Sequence, residues 1–182
     1  MKYFTPERYL RLGNLDNETE FLAALQDWED AISAYRAYSD EIKPKFLPTL
    51  RRFIGSAYLH DARVLSMHQN EENYVITLQS SSDPLRLVVF WYDLVEEPRV
   101  TTGLLPTERC REPIEWLYDK FDLDQPEGPR GLPRASGNPT FRHDILLSNG
   151  WEVALRFRQI EIKRPLRVIP VVPEGTAREL SA

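Results

Sequence analysis

The apolar residues of this chain change their spacing once, near Gly55. Before that point they recur at intervals of three and four residues; after it they alternate in twos. Side chains three or four apart share a helix face, whereas strand side chains alternate between two faces. The change therefore commits the first part of the chain to helices and most of the rest to strands. An α+β fold follows, with an N-terminal helical segment packed on a mostly antiparallel β-sheet of about six or seven strands.

The helical part carries clear start and stop signals. Thr5, Pro6 and Glu7 supply a hydroxyl cap, a proline whose missing N–H costs nothing at the first helical position, and an acid at the positive end of the helix dipole. Gly13 closes this short helix. A second start lies at Asn17, with Glu20 three residues on. From there Phe21, Leu25, Trp28, Ile32 and Tyr35 form a stripe at spacings of 4, 3, 4 and 3, flanked by Ala24, Ala31 and Tyr38. Such a stripe needs an apolar surface to cover, so it is expected to dock on the sheet. Lys43-Pro44 ends the helix, because the residue before a proline is pushed out of the α region. A shorter helix is expected over 48–54, stopped by Gly55.

Strands are expected over 63–68 and 74–79, joined by a polar turn at Asn70-Glu71-Glu72. The run 85–95 is apolar on both faces, with Leu85, Leu87, Val89 and Trp91 on one and Val88, Phe90, Tyr92 and Leu94 on the other. A strand of that kind is expected in the centre of the sheet with Val89, Phe90 and Trp91 all buried. Residues 99–102 read as a short edge strand, and 113–121 as a short helix or a strand, with its aromatic content and length favouring the strand. The Pro- and Gly-rich stretch 122–139 is nearly free of apolar anchors and reads as a functional or a disordered loop, with disorder favoured. A hairpin follows over 140–147, turning at Ser148-Asn149-Gly150, where Asn-Gly favours a type I′ turn. Its return strand places Trp151, Val153, Leu155 and Phe157 on a dry face. Apolar parity then shifts to Ile160 and Ile162, which implies a bulge near Arg158-Gln159. The domain division is 1–55 helical, 56–168 sheet, integrated as one domain, and 169–182 a Pro-containing tail.

Composition narrows the function classes. The net charge of −5 argues against a protein held on nucleic acid by bulk charge, although a small basic patch would still meet a strand. The single cysteine, Cys110, rules out an intrachain disulfide and a thiolate zinc cluster, and no sequence-local base accompanies it. The longest wholly apolar run, 87–92, is far short of the ~20 residues that span a bilayer. The start of the chain has no apolar leader, so the cytoplasm is the expected location and no membrane is expected as a partner. No Gly-rich phosphate loop, nucleophile elbow or His-Glu-x-x-His motif is present, and no cofactor is expected. The four tryptophans, Trp28, Trp91, Trp116 and Trp151, read as core anchors.

The candidate polar site is a pair of dipeptides, His60-Asp61 and His143-Asp144, each at the start of an expected strand. Brought together, two imidazoles and two carboxylates would suit a divalent metal, or one His would act as a base oriented by an Asp. Adjacent residues of a strand point to opposite faces, however, so each pair is expected to serve the fold, with one side chain inward and hydrogen-bonded. No catalytic residue and no metal ligand is assigned on this reading.

Several elements resemble a family of bacterial proteins catalogued as a domain of unknown function. They are the opening Met1-Lys2-Tyr3-Phe4-Thr5, the Leu59-His60-Asp61-Ala62-Arg63-Val64 element, the Trp116-Leu117-Tyr118-Asp119-Lys120 segment, and the set Phe141, His143, Ile145, Leu146, Ser148, Gly150 and Glu152. The Leu-His-Asp element is also similar to that of small immunity proteins in bacterial toxin loci. Neither resemblance carries catalytic residues. The expected function is therefore a non-enzymatic cytoplasmic interaction module, of the immunity type by resemblance, with a protein partner. The alternative is a small-molecule or metal-dependent enzyme using His60, Asp61, His143 and Asp144.

Overall fold

The computed structural model describes residues 2–13, 16–54, 59–70, 73–102, 113–124 and 139–165. Among them, three α-helices come first: α1 (Pro6–Leu12), α2 (Glu18–Ile42) and α3 (Pro48–Phe53), with a 3-10 turn at Lys43–Lys45. Seven strands follow: β1 (Ala62–Asn70), β2 (Asn73–Gln79), β3 (Leu87–Leu94), β4 (Arg99–Thr101), β5 (Glu115–Asp124), β6 (Thr140–Leu147) and β7 (Glu152–Lys163). The fold is α+β with an antiparallel sheet. No described helix is long and apolar enough to cross a membrane. Cys110, Gly55, Glu71, Glu72, and the segments 125–138 and 166–182 lie outside the described residues.

The helix caps work as the sequence implies. Thr5 accepts a hydrogen bond from the Arg8 N–H, and the Asn17 side chain accepts from the N–H groups of Thr19 and Glu20. The α2 stripe is rotated from its expected centre. Ala24, Trp28, Ala31, Ser39 and Ile42 are buried, Phe21 is half-buried, and Leu25 is exposed. Trp28 packs with Phe4 and Tyr3 in a small aromatic core joined by Tyr9, Ile32, Tyr35 and Tyr38. Its ring contact with the sheet is Tyr118 of β5, whose ring lies 4.6 Å from Trp28 and 5.3 Å from Phe4. The alanines face the layer because small side chains let aromatic rings approach the helix. The longer Leu25 is left to solvent.

The sheet closes on itself. Its order is β3-β2-β1-β5-β6-β7-β4, and β3 also pairs with β7. The twelve-residue β7 makes this possible. One of its edges holds β6, while the other takes β4 over Glu152–Ala154 and β3 over Phe157–Lys163. Six strands thus form an antiparallel barrel, with β4 as a short exposed flap on its edge. Closure requires bent strands, and one-residue bulges supply them. Register shifts place an extra residue at Leu65 in β1, at Leu117 in β5 and at Arg158 in β7. The Arg158 bulge is the one that the parity shift toward Ile160 implies.

Ile76, Leu78, Phe90, Tyr92, Trp116, Phe121, Phe141, Ile145, Leu155 and Phe157 fill the barrel. The α3 segment packs into the same core. Phe53 meets Phe90 edge-to-face at 5.2 Å, Phe46 lies 5.9 Å from Phe141, and Leu50 is fully buried.

Closure also corrects several expectations. Of the two apolar faces of β3, the one carrying Val88, Phe90 and Tyr92 lines the barrel, while Val89 and Trp91 lie half-buried outside it. Leu85 precedes the strand and is exposed. Residues 122–124, expected as loop, extend β5, because Asp122, Leu123 and Asp124 pair with Arg142, Phe141 and Thr140. Among the described residues only Asp61 and Gly150 have positive φ, so Asn149 does not adopt the left-handed conformation that a type I′ turn needs. Gly150 N–H instead donates to the Leu147 carbonyl and Leu147 N–H to the Trp151 carbonyl. This is the three-residue loop in which only the last residue is left-handed. Trp151 thereby leaves the dry face and is 41% exposed.

Candidate functional site

His143 and Asp144 sit in the middle of β6, where alternation sends them to opposite sides. Asp144 lies on the outer face, buried, with its Oδ1 accepting from Arg142 Nε at 2.7 Å. His143 points into the barrel and is fully buried. Its ring stacks on Phe121, its cross-strand neighbour, at 3.7 Å. Its Nδ1 lies 2.8 Å from the Tyr92 hydroxyl and its Nε2 lies 3.1 Å from Asp119 Oδ2. Asp119 Oδ1 accepts from Trp116 Nε1 at 3.1 Å. Four side chains from three strands thus form one hydrogen-bonded chain across the barrel interior.

The direction of that chain follows from its ends. Burial, with the Asp119 carboxylate and Tyr74 adding to it, pushes the Tyr92 phenol well above its ordinary range. Tyr92 therefore keeps its proton, and its hydroxyl can donate to Nδ1 when that nitrogen is bare. In that arrangement Nε2 carries the ring hydrogen and donates to Asp119. Every polar atom of the ring is used, as a buried histidine requires. A tyrosine, histidine and carboxylate in line have the parts of a proton relay. Tyr92 and His143 are both fully buried.

His60 and Asp61 are placed differently from their expected strand position. They occupy the turn before β1, with Asp61 at φ 61. Strand alternation does not apply there, and the two side chains meet each other: His60 Nδ1 lies 2.8 Å from Asp61 Oδ2. The His60 ring packs edge-on against Tyr118 at 4.8 Å, and the Asp61 N–H donates to the Trp116 carbonyl. The pair fastens the start of β1 to β5. His60 thus contacts Tyr118 on the outer, helix-covered face, whereas His143 lies inside. Among the described residues no group of three or more His, Cys, Asp or Glu side chains is arranged to hold a metal.

Two partners of His143 were not candidates in the sequence. Tyr92 is hidden in an apolar run. Asp119 had a usable signal: it shares parity with Phe121 and Leu123, so it had to face wherever those residues face.

The surface offers a different feature. β1 and β5 pair only at Ala62↔Trp116 and Arg63↔Glu115, followed by one bond from Val64 N–H to the Ile114 carbonyl. Beyond that point a groove of about 370 Å³ opens, lined by Val64, Leu65, Met67, Ile114, Leu147 and Trp151, with Arg63 and Ser66 as its polar members. Leu65 is thrown outward by its bulge and Trp151 by the Gly150 turn, and they stand 46% and 41% exposed. Two large apolar side chains thus stand exposed at this opening. No protein-family model, no curated protein and no solved structure matches the chain.

Proposed function

We propose that the protein is a non-enzymatic, cytoplasmic interaction module that binds a protein partner through the groove between β1 and β5. The observation that supports this reading most is the exposure of Leu65 and Trp151 beside that groove. Both are displaced outward by local backbone features, the bulge in β1 and the turn before β7. The resemblance to small immunity proteins narrows the partner to a toxin domain within this reading.

The enzyme reading, with His60, Asp61, His143 and Asp144 at one centre, has less support, since His143 alone of the four faces the interior. The two readings separate in one set of experiments. Affinity capture from the native host should retain a partner with the wild type and lose it with Leu65→Asp and with Trp151→Ala, while circular dichroism is unchanged. Capture of the same proteins by both variants contradicts the proposal. A rise in melting temperature with Zn²⁺ or Mn²⁺ that vanishes in both His60→Ala and His143→Ala would favour the enzyme, because only a folded site gains stability from its ion.

A further inference from the structure

The segment that closes the barrel core is wholly basic in its charge, in a chain of net charge −5. Residues 43–54 contain Lys43, Lys45, Arg51 and Arg52 and no acid. Elsewhere arginines meet carboxylates. Arg8 and Arg11 share Asp27, Arg142 meets Asp144, and Arg156 holds both Asp124 and Glu96. Arg52 sends its Nε to the Pro48 carbonyl at 3.4 Å. Neither Arg52 nor Arg164 has a carboxylate partner among the described residues. Both are exposed, and together with Thr49, Phe53 and Ile162 they line a pocket of about 300 Å³ where α3 meets the end of β7.

We propose that this pocket binds a phosphate monoester carried on a compact apolar stem. The match is first one of charge. A phosphate monoester brings roughly two negative charges near neutral pH, which two guanidiniums balance. A carboxylate brings only one. Guanidinium N–H groups form a planar fork that fits two phosphate oxygens at once, and the Thr49 hydroxyl adds a further donor. The apolar members decide the rest. Phe53 is held by edge-to-face contacts with Phe90 and Phe121 at 5.2 and 6.4 Å, so its ring is a fixed wall rather than one formed on binding. Ile162 completes that wall, and a preformed surface loses little order when a ligand arrives. Bare phosphate would leave it uncovered, whereas a phosphate on a small ring or branched chain would use it. This site lies apart from the groove between β1 and β5 and does not depend on it.

The test is isothermal titration of the intact protein with phenyl phosphate at low salt. Saturable binding is expected with a Kd below about 1 mM, and weaker binding is expected for inorganic phosphate and for benzoate. Arg52→Gln and Arg164→Gln should each weaken binding by about tenfold, the loss of one charge-assisted contact, with the melting temperature unchanged because both side chains are exposed. Added salt should weaken the wild type in the same direction. Absence of saturable binding overturns the proposal. So does equal affinity for benzoate or inorganic phosphate, or unchanged binding in the double variant.

Discussion

The barrel interior and the helical layer both bury tyrosines, and they do so by opposite means. Inside the barrel Tyr92 is enclosed on all sides and its hydroxyl is used within the core, by His143. In the helical layer the hydroxyls of α2 reach outward to the sheet. Tyr35 Oη accepts from the Phe121 N–H at 3.0 Å, and the Tyr38 hydroxyl donates to Asp122. Lys120 joins this seam, its ammonium 2.7 Å from Asp122 and facing the Tyr3 ring. The barrel is thus held by strand pairing and a polar chain that never leaves it. The helical layer is fastened by aromatic packing and a few polar tethers along a single strand. One region is self-contained and the other is attached. The helices do not all belong to the attached layer, because Ile42, Phe46, Leu50 and Phe53 sit in the barrel core.

The largest expected effect follows from that division. A chain that begins at residue 56 loses all four of those side chains. At roughly 2–5 kcal/mol for each large apolar group removed, the loss is comparable to the whole stability of a domain, about 5–15 kcal/mol. Such a chain should lack near-ultraviolet circular dichroism and cooperative melting. A sharp, cooperative transition would break the comparison by showing that the barrel folds without α3.

Single substitutions sharpen it. Phe90→Ala, in the barrel, should cost about 3–5 kcal/mol in denaturant melts. Trp28→Ala, in the helical layer, should cost less and leave the barrel folded, so that amide protection in β3, β6 and β7 survives while that of α1 and the first half of α2 falls. Equal loss of protection in both regions would mean that they form one cooperative unit.

A smaller effect should appear in alkali. Burial pushes Tyr35, Tyr38 and Tyr92 above the ordinary phenol value of 10.0. Nearby Asp119 adds to the shift at Tyr35 and Tyr92, and the hydrogen bond to Asp122 adds to it at Tyr38. Unfolded, these phenols lose their protons near pH 10; folded, they keep them to higher pH. The unfolded state therefore binds fewer protons above pH 10, and stability falls as pH rises from there. Melting temperature should decline over that range, and the tyrosinate absorbance of these residues should appear together with unfolding. Tyrosinate that forms fully while the fold is intact would contradict the burial described here.

Much of this architecture was legible in the amino-acid order, because local rules carried it. Thr5 and Asn17 cap their helices as expected, and α2 ends at Ile42 beside Lys43-Pro44, although Lys43 itself stays in the α region and opens a 3-10 turn rather than leaving that region. The parity shift after Phe157 located the Arg158 bulge. Closure was not legible. It depends on β3 and β7 pairing across more than sixty residues of chain, and no local pattern encodes that partner. Without closure, the two apolar faces of β3 looked equally dry. Trp151 looked buried because alternation was counted straight through a turn whose last residue is left-handed. The site was half legible for the same reason. Strand alternation placed His143 and Asp144 on opposite faces, while the partners Tyr92 and Asp119 come from other strands. At His60-Asp61 the alternation rule was applied to a turn, where the two side chains meet instead of parting.

The central claim is that the histidine at the heart of the barrel serves the fold and is closed to solvent and ligand. Nitrogen-15 spectroscopy of the His143 ring measures this most directly. The predicted result is a ring N–H signal that exchanges slowly with water and does not change on addition of Zn²⁺. A ring that exchanges rapidly with solvent, or whose signals move with the metal, would contradict it.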